Sequence, residues 1–270
     1  MPTPFDGQAP DFDRRAGLPE SDCQAIASAV LTLADVRPGD RLVELGAGTG
    51  MIGRWFLGHP VRYAGTDLSR GMLEVFRRRT PGAPLVQADG AAPWPLPDGA
   101  VRAMFSSRAI HLLPLAHVVD EVFRIVEAGG ACVLGWVERA TDSIKGRMSR
   151  EMQRRLRERG FPARSAGSRR FLDACRQRGA EPLEKTVVVR WPARHSPRQS
   201  LADWSSKAGL GGIVLPPGTQ EEVLGELEDW AIETFGGLDV TLDSEEAYVL
   251  EGVRLPAATR ERTSTEWTTS

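Results

Sequence analysis

Cysteine is scarce in this chain and scattered: Cys23, Cys132 and Cys175 stand far apart, with no Cys-x-x-Cys pair and no clustered histidine. That spacing supports neither a disulfide framework nor a structural zinc site, and it fits a reducing cytoplasm. Net charge is nearly absent too, at -2. Bulk charge therefore makes no case for nucleic acid or an anionic membrane as partner. No stretch approaches the uninterrupted apolar run of about 18 residues that a spanning helix needs. Met1 to Leu18 holds no apolar run flanked by basic residues, so neither a secretory leader nor a membrane span is expected. Lysine occurs only at Lys145, Lys185 and Lys207. The arginine excess fits a GC-rich bacterial genome and carries no functional weight.

What the chain does have is bulk enough for a core: 270 residues, 41% of them hydrophobic, suit one large α/β domain or a domain with a modest insertion. The pattern alternates. A helix is expected from Ser21, with Gln24 completing a capping box, to about Asp35. Pro38-Gly39-Asp40 makes a turn, Arg41 to Leu45 reads as a strand, and Met51 to Leu57 reads as a helix after a glycine-rich loop. Further strands are expected at Val61 to Thr66, Pro84 to Gln87, Val101 to Ser106 and Ala131 to Val137. Helices are expected at Gly71 to Arg79 and Leu115 to Glu127, the second with an apolar face of Val118, Val122 and Ile125 and a left-handed stop at Gly129-Gly130. Strands alternating with helices predict a doubly wound, mostly parallel sheet.

Beyond Glu138 the rhythm changes. Asp142 to Gly160 reads as a strongly basic helix, Ser168 to Arg178 as another, Lys185 to Trp191 as a strand, Glu221 to Phe235 as an acidic helix and Glu246 to Arg254 as a closing strand. The residues from Ala257 bury little and read as a disordered tail, 257-270.

The loop Glu44-Leu45-Gly46-Ala47-Gly48-Thr49-Gly50 lies between a strand and a helix. Glycines there permit a sharp turn and let a ligand approach the main chain, while a helix N-terminus favours an anionic group. A tight turn with no ligand would look similar. The same residues also satisfy a dinucleotide fingerprint, Gly48-Thr-Gly50-Met-Ile-Gly53, which keeps an NAD(P)-dependent oxidoreductase as the rival reading. Against that rival stand the acid Glu44 at the strand end, Gly46 ahead of the supposed first glycine, and a further acid after the third strand. Asp67 ends the second strand, where a carboxylate can accept from both hydroxyls of a ribose or, alternatively, cap the next helix. Asp89 ends the third, where it can accept from an adenine amino group or simply form an Asp-Gly turn.

The order of these pieces resembles the class I S-adenosylmethionine-dependent methyltransferases, and among them the ubiquinone and menaquinone biosynthesis methyltransferases and their relatives. The resemblance covers about residues 40 to 137. It implies a Rossmann-like, seven-stranded sheet whose last strand is antiparallel, with S-adenosyl-L-methionine as cofactor. It also implies that Glu44, Gly46 and Gly48 hold the methionine end, Asp67 the ribose and Asp89 the adenine, with Leu68 and Met72 packing nearby. Ala47, Gly90 and Ser106 complete the expected donor set. Arg124-Ile-Val-Glu-Ala-Gly129-Gly130 is similar to the family's turn before the fifth strand, with Ala128 where proline is usual.

A methyl on a sulfonium is already activated, so such an enzyme mainly aligns the acceptor and excludes water. Where a base helps, His111 just past the fourth strand is the candidate; the other reading is a histidine that only packs or hydrogen-bonds. His117 is expected to be structural, and His59 and His195 fall in loops. Trp136 and Glu138 could line the acceptor pocket or be ordinary core and surface residues. The fourth strand ends in Ser106-Ser107-Arg108, which lacks the signatures of amino-adenine, cytosine C5 and protein-arginine methyltransferases. A small-molecule acceptor is expected.

The basic run from Lys145 to Arg164 would suit an anionic partner, but such a helix is usually a solvated face, Phe161 is nearly its only aromatic, and the acidic stretch Glu221 to Glu251 could equally attract it. One domain over residues 1-256 is expected, with an N-terminal lid at 1-35 and an acceptor-site insertion at 139-220. A protein that binds the donor without turning it over is the non-catalytic alternative.

Overall fold

The computed structural model describes residues 18–161, 167–206, 209–210 and 213–257. The expected disordered tail falls outside them, apart from Ala257, as does the first half of the expected lid.

The N-terminal helix α1 (Glu20–Leu33) opens one residue earlier than expected. Pro19, at φ -58, leads directly into it, and no side chain caps it. The capping box of Ser21 and Gln24 does not form; the Ser21 hydroxyl points to Asp22 at 3.4 Å. Glu20 and Asp22 supply negative charge to the first turn instead. One face of α1, with Cys23, Ile26, Ala27 and Val30, is fully buried against the sheet. This helix is therefore part of a core layer on the sheet.

Strands β1 (Arg41–Leu45), β2 (Arg62–Asp67), β3 (Leu85–Gln87), β4 (Val101–Ser107) and β5 (Val126–Arg139) pair in parallel in the order β3-β2-β1-β4-β5. Their side chains alternate between two apolar faces. Val43, Met104, Cys132 and Leu134 pack under α4 (Leu115–Ile125) and α6 (Gly167–Gln177). Leu42, Ala103, Phe105 and Val133 pack under α1, the short α2 (Gly53–Phe56) and Phe76 of α3 (Arg70–Arg79). A sheet covered on both sides must bury near-continuous apolar strands, and these do.

Helix α4 stops at Ile125, short of the expected Glu127, because Val126 turns extended at ψ 130, is buried, and pairs with Val101. Gly129 does take the left-handed backbone at φ 76, but inside β5 and not at a helix end.

The remaining strands are β6 (Glu181–Pro182), β7 (Thr186–His195) and β8 (Leu242–Arg254); β8 runs antiparallel to β5, β6 and β7. The described sheet thus has eight strands, one more than expected, because the two-residue β6 also pairs with β8.

The expected insertion 139-220 divides physically. Helix α6, β6 and β7 join the main layers, while α5 (Ile144–Glu158) and α7 (Pro197–Ser205) pack with α8 (Thr219–Phe235) through Met148, Met152 and Leu156 of α5, Leu201 and Trp204 of α7, and Val223, Leu227 and Ala231 of α8. Helix α7 escaped the sequence reading although Ser196 and Gln199 form a full capping box with Pro197 in the first turn.

Candidate functional site

The glycine loop is shaped by different constraints at each glycine. Gly46, Gly48 and Gly50 have φ of 74, 56 and 78, a region that side chains with a Cβ rarely enter. A Cβ on Gly46 would collide with the Ala109 methyl, and one on Gly50 with the Phe76 ring. A Cβ on Gly53 would strike the Glu44 carboxylate and the Tyr63 hydroxyl. Above Gly48 alone in this loop the space is open. The loop is held by Gly46 and Ala47, whose N–H groups donate to the Thr66 carbonyl at 2.8 and 2.9 Å. The helix that follows is four residues, not the expected seven, because glycines at 50, 53 and 58 leave it little to propagate through. Its dipole adds little to the site.

Three carboxylates stand at the ends of adjacent strands. Glu44 is 2% exposed and accepts a hydrogen bond from the Tyr63 hydroxyl at 2.5 Å. Burial pushes its pKa up to about 8, the Tyr63 bond opposing and the Asp67 charge adding to the rise. Tyr63, buried beside it, is likewise pushed upward, by burial first and by Glu44 second. Asp67 accepts from the Gly48 N–H through one oxygen and the Ser69 N–H through the other, both at 2.8 Å. The cap of α3 is the Ser69 side chain, which accepts from the Met72 N–H, so Asp67 is not that cap. Asp89 accepts from the Ala91 N–H at 2.8 Å, an Asx turn that leaves it exposed.

At the end of β4 the expected Ser106 turns inward: it is buried and donates to the Leu45 carbonyl at 2.9 Å. Its neighbour Ser107 hydrogen-bonds the Tyr248 hydroxyl at 2.7 Å. Arg108 follows with φ 59, one of two described non-glycine residues in the left-handed region.

These segments enclose a cavity of about 420 Å³ at the carboxyl ends of β1 to β4. That is within the range of about 300–1,000 Å³ usual for small-molecule sites, and it lies where open α/β sheets hold ligands. Of the sequence-predicted residues, Glu44, Gly46, Ala47, Gly48, Asp67, Leu68, Met72, Asp89 and Gly90 line it together. Ser106 and His111 do not. His111 lies in the 3-10 turn Ile110–Leu112, and a Cβ on Gly167 at the start of α6 would crowd its Cβ and Cα. The turn presents Leu112 and Leu113 to the cavity. Sequence reasoning missed these two, along with Met51, Ile52, Ser107 and Arg108. Only their position just past strand ends could have pointed to them.

The other expected candidates take structural parts. His117 hydrogen-bonds the Ala92 carbonyl at 2.9 Å and meets the Trp94 ring edge-on. His59 lies 3.5 Å from the Ser28 hydroxyl, and His195, at the end of β7, 3.1 Å from Glu246. Glu138 pairs with Lys185 at 2.8 Å, and Trp136 packs on the main core. In the basic helix α5 and its C-cap, Arg155 and Arg159 both bond Glu226 of α8, Arg154 pairs with Glu151 and Glu158, and Arg147 lies over the Phe235 ring. The mutual attraction read from the sequence is thus a helix-to-helix contact.

Residues 43–134 match the family described as "Methyltransferase domain". The malonyl-[acyl-carrier protein] O-methyltransferase of Serratia marcescens is 30% identical over 129 residues, 47% of this chain and 48% of that protein. A demethylmenaquinone methyltransferase of Beutenbergia cavernae is 31% identical over 107 residues, 39% of this chain and 44% of that one. The chain thus spans about half the length of these curated relatives. Among solved structures, a candidate methyltransferase from Bacillus halodurans C-125 superimposes with a TM-score of 0.56 at 17% identity, covering 86% of this chain and 99% of that one, which shows a common fold. The family match over residues 43–134, the strand order and the acids at the strand ends agree: this part of the chain is similar to a methyltransferase domain, on a fold shared with that solved structure.

Proposed function

We propose that the chain transfers the methyl group of S-adenosylmethionine to a small-molecule acceptor. One observation carries the reading: the glycine loop and the acids of three successive strands, far apart in sequence, converge on one cavity with open space over Gly48. Asp67 would hold the ribose hydroxyls, Asp89 the adenine edge and Glu44 the amino group of the methionine end. Leu68 and Met72 would pack against the nucleoside. The bound donor supplies a methyl on a positively charged sulfur.

What the protein contributes is binding, alignment and exclusion of water, so no covalent enzyme intermediate is needed. Leu112 and Leu113 give the cavity an apolar wall suited to keeping water out. The relatives are named for malonyl-[acyl-carrier protein] and demethylmenaquinone, which favours a small organic acceptor here. His111 keeps a place in the proposal only as a base reached through movement of its turn.

The dinucleotide alternative loses ground at Gly50. In that fingerprint the second glycine lets the pyrophosphate approach the main chain. Here its Cβ position is filled by Phe76 and it lies off the cavity wall. Three buried free cysteines and the lack, among the described residues, of a helix able to cross a membrane suit our placing the protein in the cytoplasm.

The test is turnover. The protein is incubated with S-adenosylmethionine and panels of phenolic, quinol, carboxylate and amine acceptors, and S-adenosylhomocysteine is quantified. Formation that depends on one acceptor class supports the proposal. Donor binding with no product on any panel would favour a non-catalytic binding protein.

A further inference from the structure

Strand order β3-β2-β1-β4 lays the charged residues at the strand ends in a row: Asp89, Asp67, Glu44 and then Arg108. Among the described residues lining the cavity, Arg108 is the single base. It sits there because the backbone departs from strand geometry. In β4, Ser106 faces inward and Ser107 faces the cavity, so a continued strand would turn residue 108 away again. The left-handed backbone at Arg108 breaks that alternation, and Ser107, Arg108 and Ala109 line the cavity consecutively. Non-glycine residues seldom hold this conformation, and those that do cluster at functional sites.

Two relationships place Arg108 at the Glu44 end. Ala109 packs where a Cβ of Gly46 would be, locking this turn against the glycine loop. Arg108 and Glu44 also both act electrostatically on the buried Tyr248 hydroxyl, which bonds Ser107. An acid and a base therefore flank one end of the cavity, while Asp67 and Asp89 stand at the other.

We infer that Arg108 is a specificity residue that receives a carboxylate at the β1–β4 end of the cavity. This rests on the methyl-transfer reading. A guanidinium offers paired N–H donors matched to a carboxylate, which neither the leucines nor the acids around it can replace. The carboxylate has two possible sources, the amino-acid end of the donor or an acidic acceptor beside it.

Calorimetry on the full chain separates them. The probes are S-adenosylhomocysteine, its decarboxylated analogue, and malonate added to protein saturated with S-adenosylhomocysteine. The proteins are wild type, Arg108→Gln, and Arg108→Asn, which eases the left-handed backbone and guards against a folding defect. If the donor is the source, removing its carboxylate weakens wild-type binding by about 10- to 100-fold, the size of a lost charged hydrogen bond, and by much less in both variants. If the acceptor is the source, that ratio is equal in all three, and malonate binding disappears in the variants. Equal ratios with malonate behaviour unchanged by either substitution would overturn the assignment. A wild type that binds no S-adenosylhomocysteine would instead overturn the methyl-transfer reading, and this assignment with it.

Discussion

Asp67 and Gly48 are joined across nineteen residues of sequence by a 2.8 Å hydrogen bond from the glycine N–H to the aspartate carboxylate. The bond fixes the second strand's acid against the turn of the loop where the cavity is open, so one carboxylate both shapes the loop and lines the cavity. Asp67→Ala should therefore weaken S-adenosylhomocysteine binding by about 1.5–3 kcal/mol, as expected for hydrogen bonds to a charged group. Because Ser69 caps α3, the fold should persist. Titration calorimetry with circular dichroism checks both. Unchanged affinity would reduce Asp67 to a loop tie.

Gly46 and Gly48 should fail differently. Gly46→Val drives a side chain into Ala109 and should cost the fold itself. Gly48→Val meets open space, so its strain is that of the left-handed backbone, roughly 1–2 kcal/mol, while its side chain fills the ligand's approach. The expected result is an unfolded or aggregated first variant and a folded second variant that binds no donor. A folded Gly48→Val that binds normally would put the ligand elsewhere.

Much of this was legible in the sequence. The alternation of Val43, Met104 and Cys132 with Leu42, Ala103 and Val133 is the mark of a sheet covered on both sides, and the acids after β1, β2 and β3 stand where strands end. Less accessible was whatever depended on one residue of phase. Ser106 and Ser107 differ in sequence only by parity, and which one faces the cavity is decided by pairing of β4 with its neighbours. Nor does an arginine announce a left-handed backbone as glycine does. A helix ahead of the first strand carries no sign in the sequence of which layer it joins, and the packing of α1 on the sheet was not legible there.

If Glu44 receives the donor's amino group as proposed, donor binding should depend on pH. With a pKa of about 8 against 4.5 for the free side chain, Glu44 holds a proton in the folded, ligand-free protein over a range where the unfolded chain has released it. Stability of the ligand-free protein from this group is therefore full below about 4.5 and lost as pH rises toward and through 8. A cationic amino group arriving beside Glu44 favours the carboxylate, so affinity should rise with pH across the same window, with proton release. Calorimetry in buffers of different ionisation enthalpy reads that release directly. Glu44→Gln should abolish it; a variant that still releases the same proton would move the linkage to another group.

His111 lies off the cavity wall, which predicts that His111→Ala lowers kcat less than about tenfold, against the 10²–10⁴ of a true general base. A steady-state pH profile settles the matter. A large loss that shrinks as pH rises would restore the histidine as base, brought in by movement of its turn. A small, pH-independent loss leaves alignment as the mechanism.

The central claim is that the cavity over Gly48 takes an adenosyl amino acid. Calorimetric titration of the wild type with S-adenosylmethionine, S-adenosylhomocysteine and NAD tests it most directly. The account predicts saturable binding of both adenosyl ligands, lost in Gly48→Val, and none of NAD. Saturable binding of NAD with no binding of either adenosyl ligand would contradict it.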